Sequence, residues 1–281
     1  MQKYKAKVSS HELLAGSFQY LHFELISPDR IDFQAGQYII FNIDASRGLH
    51  RDYSIASQPS MNHAIELLVD IKPGGPGSEF LKKLQAGNEV EFIGPFGNFV
   101  VKEECSMLNA QRSTHQLLFV ATGSGISPIR SMILDLLLVK KYQGQIKLWW
   151  GMRNQEDCFW SEDFDELEKN YPNFKWDLVL SNPPDNWPLH SGHVTQHVLD
   201  YIQKQIPNTE YRIPNKILHK VESSHSEFPA RNATLSVAGG SIQHSEFCIY
   251  LCGNRFMIDE VSTKLKELGI NTGHIHTEKF F

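Results

Sequence analysis

The sequence has 281 residues, enough for about two ordinary domains or one large one. Hydrophobic residues make up 41% and charged residues 21%, with a net charge of −5, which is the composition of a soluble globular protein and gives no sign of a nucleic-acid partner. Four scattered cysteines, Cys105, Cys158, Cys248 and Cys252, are too few for a disulfide scaffold and form no C-x2-C pair, so structural zinc and iron–sulfur centres find no support. The N-terminal residues lack the apolar core of a secretory signal, and the richest apolar run, Met132 to Val139, is interrupted by Asp135. A cytoplasmic protein without a membrane span is the expectation.

Up to about Val101, short β-branched and aromatic runs alternate with Gly, Pro and Asp, the pattern of a small antiparallel barrel. The runs predict strands at Tyr4–Val8, Phe18–Ile26, Gln37–Ile43, Arg51–Ala56, Ala64–Ile71 and Glu89–Ile93. One helix is expected among them, with Ser78 as its N-cap and Phe80, Leu81 and Leu84 as its apolar stripe. Residues from about Glu103 to Gln116 are polar and aperiodic and read as a linker.

Beyond it the order becomes strand, helix, strand. Leu117–Ala121 is a continuous apolar strand, and Ile129, Met132, Ile133, Leu136 and Leu137 form the stripe of an amphipathic helix opened by Ser127 or Pro128. Strands at Ile146–Trp150 and Trp176–Leu180 flank a helix at Glu162–Lys169. A closing unit has a strand at Phe247–Leu251, a helix carrying Met257, Val261, Leu265 and Leu268, and a last strand at His274–Phe281. This alternation predicts a parallel sheet. The expected organisation is therefore a barrel domain over 1–104 and an α/β domain over 113–281, with an insertion near 207–243 that lacks periodicity.

Three segments carry chemistry. Thr122-Gly123-Ser124-Gly125-Ile126-Ser127-Pro128 lies between a strand and a helix, where backbone amides attract an anion; it suits a nucleotide site or a plain tight turn. On the barrel, Arg51-Asp52-Tyr53-Ser54 offers a guanidinium fork, an aromatic face and a hydroxyl, or is an ordinary strand. Lys72-Pro73-Gly74-Gly75-Pro76-Gly77-Ser78 leads into the short helix and is either a second anion site or a flexible turn. The pairs His193/His197 and His274/His276 have spacings that could hold a metal, but neither is accompanied by an H-E-x-x-H glutamate, and no metal is expected.

In order, R-x-Y-S, G-G-x-G-S, G-P-F-G (Gly94 to Gly97), G-x-G-I-x-P and Cys252-Gly253 span nearly the whole chain, and together they resemble the ferredoxin–NADP reductase superfamily of flavoproteins. The resemblance implies a barrel that binds FAD and an α/β domain that binds NADH or NADPH. Arg51, Gly75, Gly77 and Ser78 would contact the FAD pyrophosphate, Tyr53 would pack on the flavin, and Ser54 would donate near its reactive nitrogen. Thr122, Gly123, Gly125 and Pro128 would line the nicotinamide nucleotide, with Cys252-Gly253 beside the nicotinamide itself. Glu278 would be the acidic residue near the flavin, completing a trio with Ser54 and Cys252, and Phe280 or Phe281 the terminal aromatic. Asn182 stands where NADPH-using relatives often carry arginine, which favours NADH, although Arg153 could also reach.

The family reading implies electron transfer to a ferredoxin, a flavodoxin or an oxygenase component. The chain has no C-x4-C-x2-C run, so an iron–sulfur cluster would be expected on the partner. The alternatives are a reductase that treats flavin as a free substrate and a non-catalytic flavin-binding subunit.

Overall fold

The computed structural model describes residues 2–106, 116–205 and 247–280. The expected insertion at 207–243, much of the linker and Phe281 lie outside the described residues.

The N-terminal half is one antiparallel sheet in the order β4-β3-β6-β1-β2-β5, built from β1 (Gln2–Ala15), β2 (Phe18–Ser27), β3 (Tyr38–Asp44), β4 (Leu49–Ser54), β5 (Ala64–Asp70) and β6 (Glu89–Phe96). A bridge between Ile55 and Leu67, with the Ala56 amide donating to the Glu66 carbonyl at 2.8 Å, joins the two ends into a barrel. Period-two alternation sends Ile39, Phe41, Val90, Phe92, Leu21 and Phe23 inward. Phe41 is the hub, with its ring 5.4–5.9 Å from those of Phe23, Tyr53, Phe80 and Phe92.

β1 runs well past the expected Val8. Its register shifts against β2 at three places, and bulges of this kind, together with the polar residues Ser9 to Glu12, hide a strand from a test for strict alternation. The hairpin it forms reaches the other half, where the Phe18 and Phe159 rings lie 4.9 Å apart.

Two helix starts differ from expectation. α1 (Pro76–Lys82) has Gly75 at the N-cap, with φ 87°, and Pro76 in its first turn; Ser78 lies inside the helix and donates to the Gly74 carbonyl at 3.0 Å. Proline's fixed φ starts the helix ahead of its apolar stripe. α3 (Ile126–Leu134) grows directly out of a 3-10 turn at Gly123–Gly125, so Pro128 is its third residue and Ser127 does not cap it. A π-helical turn at Asp135–Val139 closes the expected apolar stripe.

After the short α2 (Glu103–Ser106), the C-terminal half is a parallel sheet ordered β10-β9-β8-β7-β11-β12. Its strands are β7 (Gln116–Thr122), β8 (Ile146–Met152), β9 (Phe174–Leu180), β10 (His190–Ser191), β11 (Phe247–Asn254) and β12 (Ile275–Phe280). The central strands are buried on both faces, hence their unbroken apolar runs. α3 and α4 (Ser161–Asn170) cover one face, α5 (Val194–Gln205) and α6 (Arg255–Glu267) the other. The last strand starts at Ile275 rather than His274, because the Asn271 side chain caps a 3-10 turn at Thr272–His274. Sequence reading gave no helix over α5, whose stripe of Val194, Val198, Leu199 and Ile202 is short and sits among polar residues.

Cys105 and Cys248 are joined in a disulfide with Cα atoms 5.8 Å apart, tying α2 to the start of β11. Their separation of 143 residues gives spacing rules nothing to act on. Among the described residues no helix is long and apolar enough to cross a membrane.

Phe41→Ala is expected to lower the unfolding free energy by about 3–5 kcal/mol, read by urea titration, because the cavity would open among four rings. A loss below about 1 kcal/mol would show that the barrel collapses onto the vacated space.

Candidate functional site

The two halves meet along an apolar seam in which Phe18, Ala56, Leu68 and Phe99 of the barrel join the core of the α/β half. Two cavities open along it. One, of about 730 Å³, lies against β4, α1 and the end of β12. The other, of about 680 Å³, lies across the C-terminal ends of β7, β8 and β11. They share three walls, Asp70, Ser124 and Phe280, so they are adjoining chambers of one cleft.

The first chamber is lined by Arg51, Tyr53, Ser54, Gly75, Gly77 and Ser78. Both faces of β4 contribute, because β4 pairs only with β3 and leaves its outer edge to the cavity. The two barrel motifs touch: a Cβ on Gly77 would lie 2.8 Å from the Tyr53 hydroxyl and 3.1 Å from Arg51 Cγ. A side chain at this position would crowd Tyr53 and Arg51. No carboxylate of the described residues forms an ion pair with Arg51, whose guanidinium donates to the neighbouring His50 carbonyl at 2.8 Å. Burial, partly offset by Arg51, pushes the Tyr53 hydroxyl up to about 12, so it stays neutral.

The second chamber is walled by Thr122, Gly123 and Gly253, with Arg153, Ser181, His193, Phe256 and Glu260 toward its mouth. Its glycine turn is clamped: Trp150 Nε1 donates to the Gly123 carbonyl at 3.2 Å, and the Asn254 amide donates to Thr122 Oγ1 at 2.8 Å. A Cβ on Gly125 would sit 2.4 Å from the Cys252 carbonyl, so this glycine is required for β11 to pass behind the turn. Gly125 and Pro128 are therefore buried supports and do not line the chamber.

Ser54, Cys252 and Glu278 converge from β4, β11 and β12. Ser54 Oγ donates to Glu278 Oε1 at 3.0 Å across the domain seam, and Cys252 is the register partner of Glu278. Burial raises Glu278 to about 7, against an ordinary carboxyl value of 4.5; the Ser54 hydrogen bond opposes that rise and Asp52 adds to it. Cys252, expected beside the nicotinamide, is fully buried and contributes to neither chamber wall. Burial, with the nearby Glu278 charge, holds its thiol well above the ordinary range, so it is a neutral thiol behind the wall. β11 turns the side chain of Cys252 inward and leaves Gly253 to face the cavity.

Phe280 borders both chambers. Sequence reading missed Ser17, Phe18 and Asp70, which the β1–β2 hairpin and the end of β5 bring to the second chamber, where Ser17 Oγ donates to Asp70 Oδ1 at 2.5 Å. No local signal marked them; Lys72, beside the glycine run, was the nearest. Of the histidine pairs, His197 stacks on Trp149 at 5.8 Å and His276 on Tyr250 at 4.7 Å, while His193 lines the second chamber.

The raised Glu278 has a consequence for stability. Its proton is held by the folded chain but released by the unfolded chain between pH 4.5 and 7, so its contribution is complete below pH 4.5 and lost as pH rises through 7. In cofactor-free protein, Glu278→Gln should gain stability over the parent on going from pH 5 to pH 8 by on the order of 2–3 kcal/mol in urea titrations. Parallel pH curves for the two proteins would remove the buried carboxyl.

Residues 5–101 match the oxidoreductase FAD-binding domain family and residues 119–263 the oxidoreductase NAD-binding domain family. The chain is 29% identical over 283 residues to the phenol hydroxylase P5 protein of Acinetobacter pittii, covering 100% of this chain and 66% of that protein. It is 34% identical over 197 residues to the phenol 2-monooxygenase reductase component DmpP of a Pseudomonas species, covering 69% and 52%. With one component of the Na(+)-translocating NADH-quinone reductase of Alteromonas macleodii it shares 30% over 210 residues, covering 71% and 66%. The chain thus spans between about half and two thirds of the length of these curated relatives. Among solved structures, the cytochrome P450 reductase GcoB of Amycolatopsis superposes with a TM-score of 0.73 at 22% identity, over 99% of this chain and 70% of that one. Ferredoxin-NADP+ reductase of Plasmodium falciparum gives 0.69 at 19%, over 98% and 95%. At these identities the structures speak for the fold alone.

Proposed function

The chain belongs to the ferredoxin–NADP reductase superfamily of FAD- and NAD-binding oxidoreductases, and from that premise we propose that it is a flavoprotein reductase that takes hydride from NADH onto bound FAD and passes electrons to a redox partner. The observation that carries this reading is the single cleft: two chambers, one on each domain, share Asp70, Ser124 and Phe280 at their junction. Ser54 and Glu278 meet across the same seam.

The residues of the first chamber fit FAD. Arg51, with no carboxylate partner among the described residues, is available for a diphosphate, and a Cβ at Gly77 would crowd the Arg51 and Tyr53 side chains. Tyr53 supplies an aromatic wall and Ser54 a hydroxyl. The clamped turn at Thr122–Gly125 and the bare Gly253 backbone suit a nicotinamide nucleotide in the second chamber. The two cofactors, when bound, supply the hydride chemistry. The chain's part is to orient them, to keep water from the junction, and to hold a proton: with its carboxyl near 7, Glu278 carries one for part of the time at neutral pH, 3.0 Å from Ser54 Oγ. Cys252 packs behind Glu278 and shapes the wall.

For the nucleotide we propose NADH. Asn182, in place of a possible phosphate-binding arginine, is occupied by a hydrogen bond to Asn154 at 2.7 Å, and Glu260 at the chamber mouth would oppose a 2′-phosphate. Arg153 and Lys72, which also line the chamber, are the cations that favour the other choice. For the acceptor, the phenol-hydroxylase relatives favour an oxygenase component over a ferredoxin or flavodoxin.

The purified protein should be yellow, keep its flavin through gel filtration, and bleach anaerobically with NADH at least about tenfold more efficiently than with NADPH; flavin lost on the column, or no bleaching with either nucleotide, would refute the reading. Arg51→Ala should release FAD while the α/β half keeps its thermal transition, and full flavin occupancy in that variant would free Arg51 of its role. Cys252→Ala should slow flavin reduction more than it weakens nucleotide binding, since it alters the wall behind Glu278; unchanged rates would make the thiol plain packing.

A further inference from the structure

Three residues on one face of α3 hold the barrel. Ser127 Oγ donates to the Ser54 carbonyl at 2.9 Å, Arg130 Nη1 to the Ala56 carbonyl at 3.1 Å, and Ser131 Oγ to the Ser57 carbonyl at 2.5 Å. Their spacing, i, i+3 and i+4, matches one helical face to the chain that leaves β4. Both serines are essentially buried.

Arg130 does more than donate to a carbonyl. The same Nη1 lies 3.2 Å from Glu66 Oε2 on β5, and the two side chains are only 15% and 14% exposed. Its guanidinium carbon sits 4.5 Å from the Trp160 ring centre and 6.0 Å from that of Tyr20. Trp160 immediately precedes α4 and has φ 55°, an uncommon conformation for a residue with a Cβ, and its ring meets Tyr20 edge-on at 5.3 Å. Thus Tyr20 and Glu66 of the barrel and Trp160 of the α/β half enclose one cation. A guanidinium can bond in its plane and stack on its face at once; an ammonium cannot.

α3 begins at the turn that forms the second chamber, and Ser54, which bears one of its anchored carbonyls, lines the first. A slip of this seam therefore changes the spacing between the chambers, and misplacement of about 1 Å can slow a reaction about a hundredfold. Resting on the reductase reading above, we propose that Arg130 is a positioning residue: its clamp on Ala56, Glu66 and Trp160 fixes the nucleotide chamber relative to the flavin chamber.

The test uses full-length holoprotein with Arg130→Met, Arg130→Lys and Glu66→Gln. Single-turnover reduction by NADH gives a saturating rate and a half-saturating concentration, and hydrogen–deuterium exchange reads residues 54–57 and α3. Arg130→Met should lower the saturating rate about tenfold or more, leave half-saturation within about threefold, keep FAD bound and speed exchange in 54–57. Arg130→Lys should recover only part of the rate, and Glu66→Gln, which keeps an acceptor, should lose less. A parental saturating rate in Arg130→Met, or a loss confined to half-saturation, would overturn the proposal. If that variant does not fold, parental rates in both other variants overturn it. A parent that neither nucleotide reduces would defeat the reductase reading instead, and exchange would still decide the clamp: unchanged protection in 54–57 on loss of Arg130 sinks it.

Discussion

Two sheets that share no strand must be held at a fixed offset, and this is the constraint on which the cleft depends. The barrel and the parallel sheet touch through side chains and through the backbone of residues 54–57, which accepts hydrogen bonds from α3. Backbone carbonyls are rigid anchors compared with long side chains. Buried hydroxyls that leave such bonds unmade would be left without partners, so the register is discrete. The apolar seam supplies most of the adhesion, as area does, but area alone does not choose a register. The serines and Arg130 do.

The glycine positions at the cleft follow from the same closeness. Gly125 and Gly253 stand where β7, its turn and β11 pack so closely that a Cβ would overlap neighbouring atoms at 2.3–2.4 Å, and Gly77 stands where α1 meets β4. At each, the space a side chain would take is filled by a neighbour: the Cys252 backbone at Gly125, Thr122 at Gly253, and the Tyr53 and Arg51 side chains at Gly77. Each glycine run by itself read equally as a turn, and it was their order along the chain that set them apart.

Other features were not legible in this way. The parallel half was read well because its buried strands are continuous apolar runs, whereas β1 was cut short because bulges and a half-exposed face broke its alternation. Ser78 and Ser127 looked like caps because serine often caps, but a proline in one case and a 3-10 turn in the other started the helix earlier, and their hydroxyls serve the Gly74 and Ser54 carbonyls. Cys252 was drawn toward the cavity by its place in a motif, although strand alternation puts its neighbour Gly253 there. Ser17, Phe18 and Asp70 reach the cleft through tertiary contact alone, and the Cys105–Cys248 bond joins points that sequence distance cannot relate.

The acid–base character of the cleft is a property of its closure. Glu278 is raised because it is largely withdrawn from water in the seam, and the Ser54 hydroxyl, from the opposite domain, only partly compensates. Parting the halves would remove the Ser54 bond and admit water together. The hydration gained outweighs one neutral hydrogen bond, so the carboxyl would fall back toward 4.5 and shed its proton at neutral pH. The raised carboxyl and the register of the two chambers therefore depend on the same closure of the seam.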